Sequence, residues 1–246
     1  MIEIVNLWKS FGDHEVLKGI SLKVEKGTTC VILGGSGSGK TVLMKHVIGL
    51  LRPDQGTVFV NNVEIPKLEG RALTDARRMF GMVFQQSALF DSMTVFENVA
   101  FPLKERDRHL RQTELRQRVV DKLKVVDLSE DVLALYPAEL SGGMKKRVAL
   151  ARALIHDPPV VLYDEPTTGL DPITTDYVDE MILQAKQRLG VTSMVISHDI
   201  ASSFKVADRL GVLYDGVLAA EGTPEEVRKS EHPHVKKFLS LWFEKQ

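Results

Sequence analysis

The sequence predicts an α/β fold, with a β-rich start, a helical insertion and a return to strand–helix–strand. Three observations predict it. First, the apolar, β-branched run 28–33 leads straight into Gly34-Gly35-Ser36-Gly37-Ser38-Gly39-Lys40-Thr41, and a helical pattern follows with Leu43, Val47, Leu50 and Leu51 on one face. Second, from about 86 to 157 the chain turns helical and rich in charge. Third, 160–163 and 193–197 read as short buried strands on either side of one long helix, the mark of a sheet buried on both faces.

The elements follow in order. Residues 2–8 carry β-type patterning, and in 19–24 Ile20, Leu22 and Val24 alternate with polar neighbours. Residues 57–60 and 79–84 read as further strands. Thr94-Val95-Phe96-Glu97 is a capping box that opens a helix. The stretch 104–118 is dense in charge, as on a solvated helix surface, while Leu115, Val119, Leu123 and Val126 give that region one apolar face. Pro158-Pro159 ends the helical part. Ile173, Tyr177, Met181 and Ala185 line a long helix closed by Gly190. Tyr214-Asp215-Gly216-Val217 is a hairpin turn, and Thr223-Pro224-Glu225-Glu226 opens a last helix with a cap, an early proline and acids on the dipole. No repeat, low-complexity tract or linker interrupts the 246 residues.

Composition sets limits. Hydrophobic content of 43% and charged content of 26% describe an ordinary globular chain with a sizeable core. A formal net charge of −1 offers nothing that would attract nucleic acid or anionic lipid. No apolar run approaches the ~18 residues that span a bilayer, and Met1-Ile2-Glu3-Ile4 has no signal-peptide character. Cys30 is the single cysteine; inside a strand it reads as a small buried residue. The expectation is a cytosolic protein that reaches any membrane through a partner.

The chemistry starts at residues 34–41, a full match to Gly-x4-Gly-Lys-Ser/Thr in the strand–loop–helix setting that this phosphate-binding loop requires. The glycines let backbone N–H groups turn around phosphate oxygens. Lys40 reaches the β- and γ-phosphates, Thr41 holds Mg²⁺, and the helix N-terminus adds partial positive charge. The apolar strand 160–163 ends in Asp164-Glu165, at the end of a parallel strand where α/β folds place ligands. Asp164 is expected to hold Mg²⁺ and Glu165 to polarise the attacking water. His198, after the next strand, is placed to touch the γ-phosphate and that water. Gln85, after 79–84, offers an amide to Mg²⁺. Leu140-Ser141-Gly142-Gly143-Met144 opens the helix 144–156 and forms a second anion site of free N–H groups and a hydroxyl. Two such sites in one chain are redundant unless Ser141, Gly142 and Gly143 address the nucleotide of another copy.

The order phosphate loop, Gln85, Leu-Ser-Gly-Gly, Asp164-Glu165, Leu170-Asp171, His198 resembles the nucleotide-binding domain of ABC transporters, over essentially the whole chain. The resemblance implies a P-loop NTPase (ABC ATPase) core with an N-terminal antiparallel β subdomain and an inserted α-helical subdomain. It implies one nucleotide-binding domain over 1–246, with core and β subdomain in 1–85 and 159–246 and the helical signature subdomain in 86–158. It further implies binding and hydrolysis of ATP with Mg²⁺. Phe11 resembles the aromatic that stacks on adenine, with ordinary core packing as its alternative; Val16 resembles a nucleoside contact, and Val42 belongs with the phosphate-loop residues. Asp171 resembles the loop that links two ATP sites across a dimer, and it also suits a helix cap before Pro172. Met144 replaces the usual Gln, and Gly169 departs from the commoner Ser-Ala-Leu-Asp form.

Leu140 to Met144, residues 163–174 and residues 87–103 together resemble the Mla/MCE-type lipid-transport ATPases. That implies a homodimer under two integral-membrane permease subunits at the cytoplasmic face of the inner membrane, an MCE-domain lipid-binding partner, and room for a small regulatory subunit. Leu89, Phe90, Met93 and Phe96 form either a groove for a partner's helix or the core of the helical part. Phe238, Leu239, Trp242 and Phe243 either cap the chain's own core or touch the second subunit. His232 and His234 are too few for a metal site. The rival readings are an ATPase of a solute importer, a non-transport ABC ATPase and a small-molecule kinase; the last has no need of the Ser-Gly-Gly sequence.

Overall fold

The computed structural model describes residues 1–85, 87–106 and 110–243, with backbone alone at 106 and 241–243. The chain begins with β1 (Ile2–Phe11), β2 (His14–Val24) and β3 (Thr29–Leu33), then α1 (Lys40–Val47), β4 (Gln55–Val60), β5 (Val63–Glu64), α2 (Gly70–Arg77) and β6 (Phe80–Val83). The helical stretch is α3 (Val95–Arg106), α4 (Gln112–Val125) and α5 (Gly142–Leu154). The chain then returns through β7 (Val160–Asp164), α6 (Pro172–Leu189), β8 (Thr192–Ser197), α7 (Ile200–Val206), β9 (Arg209–Tyr214), β10 (Val217–Gly222), α8 (Pro224–Arg228) and α9 (Pro233–Phe243).

Two sheets organise these elements. A four-stranded sheet runs β2-β1-β4-β5, and its recorded pairs are antiparallel. A six-stranded sheet runs β10-β9-β3-β8-β7-β6, parallel from β9 to β6. The apolar runs of β3, β7 and β8 have partners on both faces. Val31, Leu33, Val161, Tyr163 and Val195 join the core shared with the helical part. Cys30, Ile32, Val160, Leu162, Met194 and Ile196 join the core beneath the four-stranded sheet. Side chains alternate across a strand, so two buried faces require a run without the usual polar alternation, and in β8 small hydroxyl residues accompany the apolar ones. Burial pushes the Cys30 thiol up to about 12, which leaves it protonated and inert.

Local signals set the ends of several elements. Glu97 Oε2 accepts from the Thr94 amide at 2.8 Å, and Thr94 Oγ1 accepts from the Glu97 amide at 3.2 Å. Thr223 and Glu226 form the same box ahead of α8. Asp215 and Gly216 both take positive φ, 47° and 78°, as a two-residue hairpin turn needs. Gly190, with φ 63°, closes α6.

Two expectations require correction. The helix after the phosphate loop stops at Val47, and Gly49 takes φ 67°. Leu50 therefore lies beyond the helix and is exposed rather than on its buried face. In α6 the buried side is Val178, Met181, Ile182 and Ala185, while Ile173 and Tyr177 face outward at 70% and 53% exposure. On that outer side Arg147 stacks over Tyr177 at 5.8 Å.

Asp179 fastens α6 to α7. Its side chain is buried, and the Ser202 hydroxyl donates to its Oδ1. Burial pushes its carboxyl up to about 6, against the opposing pull of Ser202 and Lys205. The folded protein thus keeps this proton to a higher pH than the unfolded chain does. Stability is lost as pH rises from the ordinary carboxylate range to about 6 and stays lost above it. Asp179→Asn, which still accepts from Ser202, is expected to stabilise the fold by about 2–3 kcal/mol near pH 8 and by almost nothing near pH 4. Thermal melts at the two pH values check this; equal gains at both would contradict it.

Candidate nucleotide site

Parallel pairing brings the site together. Leu33 pairs with Ser197, Asp164 with Ile196 and Val83 with Tyr163. The C-terminal ends of β3, β8, β7 and β6 therefore share one edge. From them emerge the glycine-rich loop, His198, Asp164-Glu165 and Gln85. All these lie along one cleft of about 600 Å³, lined by Gly35, Ser36, Gly37, Lys40, Thr41, Gln85, Asp164, Glu165, Thr168, His198 and Phe238.

Steric limits shape the loop. A Cβ on Gly34 would lie 2.5 Å from the Leu213 carbonyl oxygen and 2.8 Å from Ser38 Oγ. Gly39 takes φ 101° at the start of α1, and a Cβ there would press on Leu17 and Val16. In front of Gly35 and Gly37 the space is open. Ser38 Oγ is buried with no partner among the described residues, and the loop amides begin a helix. This hydroxyl, amide and lysine set fits phosphate oxygens.

Lys40 is 5% exposed. Its ammonium donates to the carbonyls of Gly34 and Gly35 at 2.9 Å each and lies 3.4 Å from Glu165 Oε1. Glu165 takes φ 50°, and its amide donates to Ile196 O at 2.9 Å. Its Oε2 accepts from Thr168 Oγ1 at 2.9 Å and lies 2.7 Å from His198 Nδ1. Glu165 thus stands between a cation and an imidazole in the same cleft. Burial and the neighbouring Glu165 raise the Asp164 carboxyl above the usual range, while Lys45 and Lys40 oppose the shift. The oxygen donors of Thr41, Gln85 and Asp164 suit Mg²⁺, a hard ion bound through one or two carboxylates, water and phosphate. The described residues hold no cluster of three or more His, Cys, Asp or Glu that would suit a softer metal.

The other expected residues lie elsewhere. Ser141 caps α5, with its hydroxyl accepting from the Met144 amide at 3.2 Å. Ser141 and Gly142 are exposed, and neither they nor Gly143 line the cleft. Asp171 caps α6, accepting from the amides of Ile173 and Thr174 at 3.0 Å and from the Thr174 hydroxyl at 2.6 Å. These bonds to Thr174 hold its carboxyl below the usual range. Phe11 is 49% exposed, so it is no core residue; Lys9 sits 5.5 Å over its ring. Val42 packs against the core under the four-stranded sheet, and its carbonyl lies 2.7 Å from His46 Nδ1.

Val16 lines a second cleft of about 290 Å³ beside the loop, together with Gly35 to Ser38, Tyr214, His234 and Phe238. His234 stacks on Tyr214 with ring centroids 3.4 Å apart, so it serves as an aromatic neighbour. Sequence reasoning missed Tyr214, His234 and Thr168 here. Only the Thr168 spacing, three residues after Glu165, held a readable signal. Phe238 packs on the core and also faces both clefts; the side chains of Trp242 and Phe243 are outside the described residues.

An apolar groove of about 430 Å³ runs along edge strand β6, lined by Phe80, Met82, Phe84, Phe90, Phe101, Pro102 and Arg152 among others. Of the four residues expected there, only Phe90 lines it. Leu89 and Phe96 pack on the helical core, and Met93 is not among its walls. Helix α5 holds the loop between groove and cleft. Lys146 donates to the Gln85 carbonyl, and Arg152 donates to the carbonyls of Ser87 and Ala88. Burial lowers both Lys146 and Arg152 below their ordinary ranges.

The sequence profile of the family described as ABC transporter matches residues 17–168. The chain belongs to the ABC transporter family. It is an ABC ATPase, with that family's mixed α/β cassette. It is 41% identical to the intermembrane phospholipid transport system ATP-binding protein MlaF of Haemophilus influenzae, over 97% of this chain and 90% of that protein. It is 38% identical to the probable ribonucleotide transport ATP-binding protein mkl of Mycobacterium leprae, over 97% of this chain and 68% of that one. It is 40% identical to the methionine import ATP-binding protein MetN 1 of Bacillus cereus, over 99% of this chain and 71% of that one. The dimeric post-hydrolysis structure of the ATP-binding cassette MJ0796, bound to ADP and Pi, superposes with TM-score 0.80 at 33% identity, covering 91% of this chain and 99% of that one. Among the described residues of this ABC ATPase, no helix is long and apolar enough to cross a membrane.

Proposed function

We propose that this ABC ATPase works as a homodimer that closes on ATP and drives phospholipid transport between membranes. One observation carries the mechanism: the chain gathers its phosphate loop, Asp164, Glu165 and His198 in one cleft, while its second anion-binding element lies outside the walls of that cleft. Lys40, Glu165 and His198 converge in that cleft, and Ser141-Gly142-Gly143 lies outside its walls, with Ser141 and Gly142 exposed. In this reading those three residues, with Asp171, close over ATP held by the partner protomer. Within one chain, 1–85 and 159–246 carry the nucleotide and 86–158 carries the signature.

Lys40 exchanges its carbonyl contacts for phosphate oxygens as ATP enters, and Ser38 and the loop amides cradle the chain of phosphates. Phe11 and Val16 receive the nucleoside, and Val42 supports the first turn of α1. Glu165 draws the proton from the attacking water, and His198 holds that water and the γ-phosphate in line. Held by Thr41, Asp164 and Gln85, Mg²⁺ would neutralise charge on the phosphates. Loss of the γ-phosphate releases the trans contacts and reopens the dimer.

Phospholipid as cargo is supported by the likeness to MlaF, which spans nine tenths of that protein's length. Two permease subunits at the cytoplasmic face of the inner membrane, an MCE-domain lipid carrier and a small regulatory subunit complete the proposed assembly. The groove along β6 supplies a seat for a permease helix. The likeness to the methionine importer ATPase favours a second reading, solute import with the same ATPase cycle. Affinity purification from the native membrane separates the two. A permease, an MCE-domain protein and phospholipid are expected; a permease with a solute-binding protein and no lipid would move the cargo to a solute.

Ser141→Arg tests the trans contact. It is expected to abolish ATP-dependent dimerisation and hydrolysis while leaving ATP affinity of the monomer within about twofold, since Ser141 does not line the cis cleft. Light scattering and titration with ATP check both halves. Retained hydrolysis would sink the trans assignment.

A further inference from the structure

Lys146 is a charge placed against its own interest. It lies early in α5, only 5% of its surface is exposed, and no carboxylate pairs with it among the described residues. The N-terminal end of a helix is itself electropositive, which makes a buried ammonium there still less favourable. Its recorded bond goes to the main-chain oxygen of Gln85. Further along the same helix, Arg152 donates to Ser87 O at 2.8 Å and Ala88 O at 2.7 Å. Ser87 and Ala88 take φ of 61° and 46°, left-handed values that residues with a Cβ adopt only when their surroundings hold them. Two cations of α5 therefore hold the loop after β6 by its backbone.

We propose that Lys146 is a positioning residue that ties Gln85 to α5, with Arg152 completing the tether, so that docking of Ser141-Gly142-Gly143 on the partner's ATP sets the Gln85 amide in this protomer's own cleft. The inference rests on the trans reading of the signature. Ser141 and Lys146 are five residues apart at the start of one helix, about 7.5 Å along its axis. A displacement of the cap therefore reaches Lys146 with little loss. A bond from an ammonium to a carbonyl is roughly twice as strong as its neutral counterpart, and it acts on the backbone whatever side chain stands at 85. Each site would then be armed only after this protomer's signature has engaged the other site, which makes the two hydrolysis events cooperative.

A double-mutant cycle on the full chain tests this. Lys146→Met, which keeps length and removes charge, is expected to lower kcat about tenfold, leave the Kd for ATP unchanged and bring the Hill coefficient for ATP hydrolysis towards one. Gln85→Ala combined with Lys146→Met is expected to turn over no more slowly than Gln85→Ala alone. Multiplying losses in the double variant, or an unaltered kcat and Hill coefficient in Lys146→Met, would overturn the tether. Should Lys146→Met not fold, Lys146→Leu, which likewise has no donor, enters the same cycle with the same expectation. The Ser141→Arg dimerisation test is separate: normal dimerisation there defeats the trans reading, whereas failure of the cycle alone defeats only the role of Lys146.

Discussion

Glu165→Gln is expected to cut ATP turnover by about 10²–10⁴-fold, the usual worth of a positioned general base, and to trap an ATP-bound dimer. The substitution keeps the shape of the side chain and its contact with Thr168, and it removes the charge that faces Lys40 and His198. Binding should persist, because the loop, Lys40 and Ser38 are untouched. With the Glu165 charge gone from beside the ammonium, Lys40 is also freer to serve phosphate, which favours the closed state. Phosphate release under single-turnover conditions and size-exclusion chromatography with ATP check the two halves. Normal hydrolysis would remove Glu165 from the role of base; loss of turnover without a trapped dimer would leave the base in place and count against closure on ATP.

Lys40→Ala should have the next largest effect, a fall in ATP affinity of roughly 100-fold or more. Hydrogen bonds made by a charged group are worth about 1.5–3 kcal/mol each, and Lys40 can exchange two carbonyl bonds for contacts to phosphate. The variant also leaves Glu165 facing the phosphates without its cation, which adds repulsion. Calorimetric titration measures the loss, and a thermal melt verifies that the variant is folded. Affinity unchanged at that precision would remove Lys40 from the site.

Much of this was legible in the chain itself. The phosphate loop, the capping boxes at Thr94 and Thr223, the turn at Asp215-Gly216 and the stop at Gly190 are local devices. Each works through atoms a few residues apart, so each leaves a fixed spacing. The buried strands β3, β7 and β8 were readable for a related reason: burial on both faces excludes charged side chains from the middle of each run and leaves apolar residues with small hydroxyls. Where reading by pattern failed, the pattern had more than one use. Ile173 and Tyr177 sit at helical spacing with Met181 and Ala185, yet only the latter pair is buried. For Leu89, Phe90, Met93 and Phe96 the pattern left groove and helical core open, and the structure divides them: Leu89 and Phe96 pack on the core while Phe90 lines the groove.

The sequence alone determined the family, the α/β class with its helical insertion, and which side chains could meet a nucleotide. It could do so because those motifs encode their chemistry within single strand–loop–helix units. Only the tertiary structure decided what those residues do to one another. Parallel pairing of strands far apart in the chain set Lys40 3.4 Å from Glu165 and His198 2.7 Å from it. Packing of α9 brought Phe238 and His234 to the loop. Burial turned Lys146 and Asp179, surface residues by type, into fastenings between elements. Such contacts arise from the meeting of distant segments, and no local spacing in the chain records which segments will meet.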